Sequence, residues 1–227
     1  MNSCESAYSS VLKRIAEAST AAGQARPARL VAVGKTKPPE ALRALAALGQ
    51  TAFGENYIQE ARAKQAALAD LDLEWHAIGP LQSNKAREVA QHFDWLQTLD
   101  RAKLIEPLAR HRDAGSAPLN VLIQVNIDDE ASKSGCAPGD VHELADLVAA
   151  HPTLRLRGLM AIPAPLDFVR RREAFRRMRA LFEALASEHA AVDTLSMGMS
   201  DDFELAIAEG ATMVRVGSAL FGARRPA

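Results

Sequence analysis

Apolar residues recur along this chain in two alternating rhythms, one helical and one strand-like. Val11, Leu12, Ile15 and Ala18 share one face at helical spacing and predict an amphipathic helix over about residues 6–22, ended by Gly23. A short polar connection then meets four consecutive apolar residues, 30–33, which read as a buried strand. Prolines 38 and 39 open a helical pattern that runs to 48 and is stopped by Gly49. The alternation continues to the end of the chain. Strands are predicted at 51–53, 73–78, 95–99, 119–127, 154–162, 193–197 and 212–216. Helices are predicted at 57–69, 84–91, 101–112, 140–150, 168–189, 201–209 and 217–221. The run 119–127 is almost continuously apolar, as expected of a strand covered on both faces.

Eight strands, each followed by a helix, predict an α/β fold: a single (β/α)8 TIM-type barrel with an extra N-terminal helix. A doubly wound open sheet is the alternative, but no G-x-G-x-x-G fingerprint follows any predicted strand. No Pro/Ser-rich linker divides the chain, so residues 1–227 read as one domain. Composition changes this picture little. The chain has 227 residues, 48% of them hydrophobic, and a formal net charge of -1, which gives no electrostatic reason to expect nucleic acid or a membrane surface as partner. No apolar run approaches the roughly 18–20 residues of a membrane span, and residues 1–10 lack an apolar signal core. Cys4 and Cys136 form neither a metal spacing nor a disulfide framework, which fits a reducing, cytoplasmic setting. The histidines show no H-x-H or H-E-x-x-H spacing, so no metal is expected.

The polar residues of interest fall where strands end. Lys35 follows the first strand behind Gly34, Asn56 follows the second, His76 lies near the end of the third and Asn126 near the end of the fifth. Ser196 and Ser200 flank the exit of the seventh, and Arg215, Gly217 and Ser218 mark the eighth. In a barrel these ends converge on one mouth, where ligands bind. A lysine backed by an apolar strand is a candidate Schiff-base residue, because desolvation frees its amine; the alternative is an ordinary exposed loop lysine. Residues 198–202 and 216–219 place small or hydroxylated residues before helices, a phosphate-binding arrangement at the corner where barrels commonly use one. Helix capping by Ser200 and Ser218 is the competing reading. A lysine facing a phosphate cup suggests pyridoxal phosphate, with Arg215 placed to face its ring nitrogen. A guanidinium is only a donor and favours an unprotonated nitrogen, which weakens the ring as an electron sink. A structural ion pair is the alternative for Arg215.

Seven segments together resemble the pyridoxal phosphate homeostasis protein family: V-G-K-T-K-P at 33–38, F-G-E-N-Y at 53–57, W-H-A-I-G-P-L-Q-S-N-K at 75–85, S-K-S-G at 132–135, R-G-L-M-A-I at 157–162, L-S-M-G-M-S-D-D at 195–202 and V-R-V-G-S at 214–218. The similarity spans about residues 30–224. It implies a barrel like the amino-terminal half of alanine racemase, with pyridoxal 5'-phosphate held as an aldimine on Lys35. It further implies that Ser200, Gly217 and Ser218 hold the phosphate and that Arg215 contacts the ring nitrogen. Asn56, Ser196 and Met197 would line the ring pocket. Gly34 departs from the pattern, where many relatives carry serine, and is expected to loosen the backbone beside Lys35.

A racemase on this fold needs a second proton donor across the cofactor, which the racemases take as a tyrosine from a second domain. This chain has only Tyr8 and Tyr57, so the expectation is a non-catalytic binding protein that stores or delivers pyridoxal phosphate in intracellular homeostasis. Apoenzymes dependent on the cofactor would be its recipients, and the protein itself a monomer or weak dimer. A slow racemase or transaminase using Lys35 as sole acid/base is the alternative. Lys37, Lys85 and Lys133 are secondary candidates for cofactor handling: Lys37 reads as solvated, Lys85 as helical and Lys133 as a loop residue after the fifth strand. The arginines between 170 and 179 read as a solvated helix face, without the aromatic interleaving that RNA bases need.

Overall fold

Alternation along each strand sends successive side chains to opposite faces, and in this chain both faces are apolar because both are covered. In β1 (Arg29–Val33), Val31 belongs to an inner cluster with Ala52, Trp95, Leu122, Met160 and Met213, whereas Leu30 and Ala32 belong to a larger outer cluster. The inner cluster fills the inside of a closed barrel, and the outer one lies between the barrel and its helices. The computed structural model describes residues 3–128, 134–164 and 167–222. In them the parallel strands follow chain order around the barrel, and β1 pairs with β8 to close it. The remaining strands are β2 (Ala52–Glu55), β3 (Glu74–Ala77), β4 (Trp95–Leu99), β5 (Leu119–Gln124), β6 (Leu154–Met160), β7 (Thr194–Ser196) and β8 (Met213–Val216).

The predicted leading helix is α1 (Ser3–Ala21), which buries Tyr8, Val11 and Ile15. It packs against α2 (Pro39–Ala46), α8 (Phe203–Ala208) and α9 (Ser218–Phe221), covering the seam between the first and last strands. The other helices are α3 (Ile58–Ala67), α4 (Ala86–His92), α5 (Ile105–His111), α6 (Val141–Ala149) and α7 (Phe168–Glu188). Short 3-10 turns lead into α4, α5 and α6. Asp167 starts α7 by accepting the Arg170 N–H, and the arginines of that helix pair with Asp128, Glu183, Asp202 and Glu209. No helix among the described residues is long and apolar enough to cross a membrane.

Most element bounds shift by one or two residues from those expected, and two features around β5 go further. β5 ends at Gln124 rather than 127, because Val125 leaves the ladder to bridge Cys136 while Val125 and Ile127 remain buried. Burial outlasts strand geometry there, so apolarity alone overextends the strand. The ladder between β5 and β6 slips by one residue between Val121 and Leu122, leaving Arg157 as the extra residue of a bulge. Gly158 takes up the bend at φ 141°, and a Cβ there would meet the Thr194 carbonyl oxygen at 2.0 Å. Gly158→Ala therefore forces β6 away from β7. We expect a loss of about 1–3 kcal/mol or more in denaturant unfolding, and a loss within error would show that this bend is not fixed by the glycine.

Candidate functional site

The turn that carries Lys35 is strained. Lys37 N–H donates to the Gly34 carbonyl at 2.9 Å, closing a four-residue turn directly after β1. Its third residue, Thr36, has φ 64°, the one positive-φ residue other than glycine among the described residues. That position of a turn ordinarily takes glycine or asparagine, and a β-branched residue there costs on the order of 1–3 kcal/mol. Lys35 is half-buried and makes no hydrogen bond or ion pair with the other described residues.

Lys35 opens onto a cavity of about 320 Å³ at the carboxyl ends of the strands. Asn56, Ser200, Arg215, Gly217 and Ser218 line the same cavity, together with Val33, Thr36, Lys37, Ile78, Ile162, Met199 and Asp201. Six of the eight expected site residues thus converge. The other two lie beneath: Ser196 and Met197 are fully buried and do not line the cavity. Met197 packs in the outer core, and Ser196 hydrogen-bonds to Arg215 from inside the barrel. Lys37 is also at the wall and donates to the Phe221 carbonyl at 3.1 Å, so it is tethered rather than solvated. Lys85 pairs with Glu88 outside the cavity, and Lys133 lies outside the described residues. A larger, more open groove of about 750 Å³ lies at the opposite end of the barrel. Its Arg157 and Arg179 are paired with Asp193 and Glu183, and no lysine lines it, so the mouth is the candidate site.

Arg215 shares the inward parity of Met213 in β8 and is only 3% exposed. It donates to Ser196 Oγ at 2.6 Å and to the Ala161 carbonyl at 2.9 Å, with no carboxylate in ion-pair contact among the described residues. Burial pushes its pKa down to about 10, with the Asp202 charge opposing, so it remains a cation at neutral pH. Beneath it a polar column runs through the barrel. Ser196 Oγ donates to Gln97 Oε1 at 2.7 Å, and Gln97 Nε2 lies 2.8 Å from His76 Nδ1. His76 Nε2 meets Glu74, which Arg29 also contacts at 2.8 Å. The donor roles follow from one end: Arg215 is only a donor, so Ser196 donates onward, and Gln97 presents its amide N–H to Nδ1. Nε2 then carries the ring proton and gives it to Glu74. His76, whose sequence context favours a packed, hydrogen-bonded residue over a base at the mouth, lies in this fully buried column, where burial lowers its pKa and favours the neutral ring. Glu74 and Gln97 were not foreseen. Their one signal is parity: Glu74 alternates with Trp75 to share the inward side of β3 with His76, and Gln97 shares that of β4 with Trp95.

At the phosphate corner the serines do not cap their own helices. Ser200 Oγ instead accepts the Gly217 and Ala219 N–H groups, both at 3.3 Å, across the start of α9. Asp202 ties the turn by accepting the Met199 N–H at 2.7 Å. Gly217 lies against Val33, whose carbonyl oxygen would be 3.3 Å from an added Cβ. Gly34 is not a loosening residue: a Cβ there would meet Glu55 Oε1 at 2.5 Å. Glu55 is buried, and burial pushes its carboxyl up to about 7 against the hydrogen bond and charge of Lys64.

This barrel, with a lysine at the end of β1 and a cationic, hydroxyl-rich mouth, falls in a defined class: residues 9–225 match the family described as alanine racemase, N-terminal domain. The chain belongs to the pyridoxal phosphate homeostasis protein family. It is 56% identical to the pyridoxal phosphate homeostasis protein of Pseudomonas aeruginosa over 217 residues, covering 94% of this chain and 93% of that protein. Against the protein of that name from Escherichia coli K12 it is 50% identical over 229 residues, covering 99% and 98%. Among solved structures it is similar to PipY of Synechococcus elongatus PCC7942 with PLP bound, at TM-score 0.79 and 39% identity, covering 92% of this chain and 100% of PipY.

Two predictions follow from the geometry. Ser196→Ala leaves an Arg215 N–H and Gln97 Oε1 without their partner, and should cost about 1–3 kcal/mol in denaturant unfolding. The second concerns pH. Because the folded-state pKa of Glu55 is raised from 4.5 to about 7, the folded chain binds this proton more tightly, and its contribution is lost as pH rises through that window. The stability of wild type relative to Glu55→Gln should therefore fall between about pH 5 and pH 8. A difference that stays constant, or grows with pH, would show that Glu55 is ionised throughout.

Proposed function

We propose that this chain binds pyridoxal 5'-phosphate at the barrel mouth, covalently through Lys35, and acts in intracellular pyridoxal phosphate homeostasis by storing or delivering the cofactor without substantial catalysis. The whole chain is then one cofactor-binding unit. The observation that carries this reading is the pairing, on one cavity, of a half-buried Lys35 that is unengaged with a buried Arg215 that has no carboxylate in ion-pair contact, both among the described residues. A buried cation without a counter-ion is costly, and an electron-rich ligand atom offsets that cost. The relatives named for pyridoxal phosphate homeostasis and the PLP-bound PipY support the assignment.

The donor set fits the group. Lys35 offers a primary amine, Arg215 a fixed donor for a ring nitrogen, and Ser200, Gly217 and Ser218 hydroxyl and backbone donors for a phosphate. Asn56 and Ile78 flank the ring space, and Ser196 and Met197 act from beneath it, Ser196 by holding Arg215. When bound, pyridoxal phosphate supplies an aldehyde carbon that condenses with a primary amine, with loss of water. Arg215 remains a donor at neutral pH, so it stabilises an unprotonated ring nitrogen and withholds the electron-sink character that carbanion chemistry needs. Neither tyrosine serves the site: Tyr8 is buried under α1 beside Gln50, and Tyr57 is 66% exposed and outside the cavity. The described lining contains no histidine or tyrosine as a second proton donor, which favours a carrier over a slow racemase or transaminase.

The test is absorbance of the purified protein with added pyridoxal phosphate. Wild type should show the visible band of a covalently held cofactor, borohydride should fix it to the peptide containing Lys35, and Lys35→Ala should abolish both. A band that persists in Lys35→Ala would move the attachment to Lys37 or Lys133. Turnover of an amino acid that depends on Lys35 would replace the carrier reading with the enzyme one.

A further inference from the structure

Behind the Lys35 turn lies a group of charges that the proposed function does not use. Lys64 sits on the inward side of α3, with Ala61 and Leu68, and is 3% exposed. Its Nζ donates to Glu55 Oε1 at 2.7 Å, to Glu60 Oε1 at 2.6 Å and to the Gly34 carbonyl at 2.7 Å, using all three of its protons. Glu60 Oε1 also accepts the Thr36 N–H at 2.7 Å. The triad therefore grips the main chain on both sides of Lys35, at the carbonyl before it and the amide after it.

Two details tie the triad to the turn rather than to general stability. Thr36 is held at φ 64°, which a threonine adopts only when surrounding contacts fix it. The space where a side chain at position 34 would begin is taken by Glu55 Oε1, so the glycine and the carboxylate fit each other. A buried ion pair is seldom needed for stability, since apolar replacements of similar volume are often neutral or stabilising. Glu55 Oε2 has no hydrogen-bond partner among the described residues, a further cost that a purely stabilising pair would not carry.

We propose that Glu55, Lys64 and Glu60 are positioning residues that hold the strained Gly34–Lys37 turn and so aim the Lys35 amine into the mouth. The triad does not touch the cavity; it acts through the backbone. Orientation of a reacting group within a turn is the kind of placement on which covalent capture depends. This inference rests on the cofactor reading, and its test is arranged so that the two can fail separately.

Three variants decide it. Glu60→Ala removes the acceptor of Thr36 from a half-exposed helix site, Glu60→Gln keeps an acceptor oxygen there, and the double variant Glu55→Gln/Lys64→Met removes the buried pair together. Without cofactor, hydrogen exchange at the Thr36 amide and competitive acetylation of Lys35 report the turn itself. Exchange should accelerate by about tenfold or more in Glu60→Ala, the scale of one lost charge-assisted hydrogen bond, and Lys35 acetylation should change with it. With pyridoxal phosphate added, covalent capture at Lys35 should weaken by about tenfold or more in Glu60→Ala and in the double variant, while the cofactor-free thermal midpoint shifts by only a few degrees. Glu60→Gln should restore most of the capture. Capture within about twofold of wild type in both Glu60→Ala and the double variant overturns the proposal, as does failure of Glu60→Gln to rescue. If wild type captures no cofactor at Lys35, the cofactor reading fails by itself. Unchanged Thr36 exchange and Lys35 acetylation in the variants would then sink the triad's role as well, and changes in both would sustain it.

Discussion

Among the described residues the guanidinium buried inside this barrel has no carboxylate against it and is held by neutral hydrogen-bond partners, and the rest of this site depends on how that is done. Arg215 faces inward because β8 alternates and Met213 is inward. Once there, it can only donate, and each partner below it has its hydrogen-bonding direction set in turn, through Ser196 and Gln97 to His76. The column reaches a negative charge only at Glu74, at the far end of the barrel, where Arg29 is also in contact. Burial opposes the ionisation of Glu74, but hydrogen bonds from His76 and Arg29 and the charge of Arg29 hold its carboxyl well below the usual range. Positive potential is thereby left at the mouth, where an anionic or electron-rich ligand would meet it.

The opposite wall solves a different problem. Lys35 must be near the cavity yet unengaged, so nothing can hold its side chain directly. The chain constrains the backbone instead, with a tight turn, a positive φ at Thr36 and hydrogen bonds to the peptide groups on either side. A side chain fixed by its own ion pair would be a poor nucleophile. A side chain fixed through its main chain keeps its amine free.

Much of this was legible in the sequence because both faces of each strand are covered and most strand positions are apolar, and eight such runs separated by helical patterns have few other solutions. The strand at Trp95–Leu99 has the bounds its pattern predicts. The convergence of Lys35, Asn56, Ser200, Gly217 and Ser218 followed from their places after strands, and that of Arg215 from its place near the carboxyl end of β8. What stayed hidden was hydrogen-bonded rather than periodic. Gln97 and Glu74 sit within strands, at positions that a search of strand ends for polar residues passes over. Lys64 reads in sequence as a solvated helix lysine, since a buried lysine is rare without partners and its two glutamates come from β2 and from the preceding turn of its own helix. Ser196 and Met197 were placed in the mouth by similarity. Ser196, the last residue of β7, points under the site, and Met197, the next residue, turns to the outer core, a distinction that a motif cannot make.

Storage and catalysis ask opposite things of such a mouth. Catalysis at a carbon next to the cofactor requires a ring that accepts electrons, a proton donor on each face and exclusion of water. On the proposed reading Arg215 works against the first, being held as a donor by a column of neutral partners. The described lining supplies lysines as proton carriers but no tyrosine or histidine for the second face. Storage instead requires a reversible covalent hold and an exit. A free amine on a braced turn, facing a cation that lowers the cost of holding the ring without activating it, meets the first of these. On the proposed reading, the relation between the two walls, rather than either alone, is what would separate a holder of the cofactor from an enzyme that uses it.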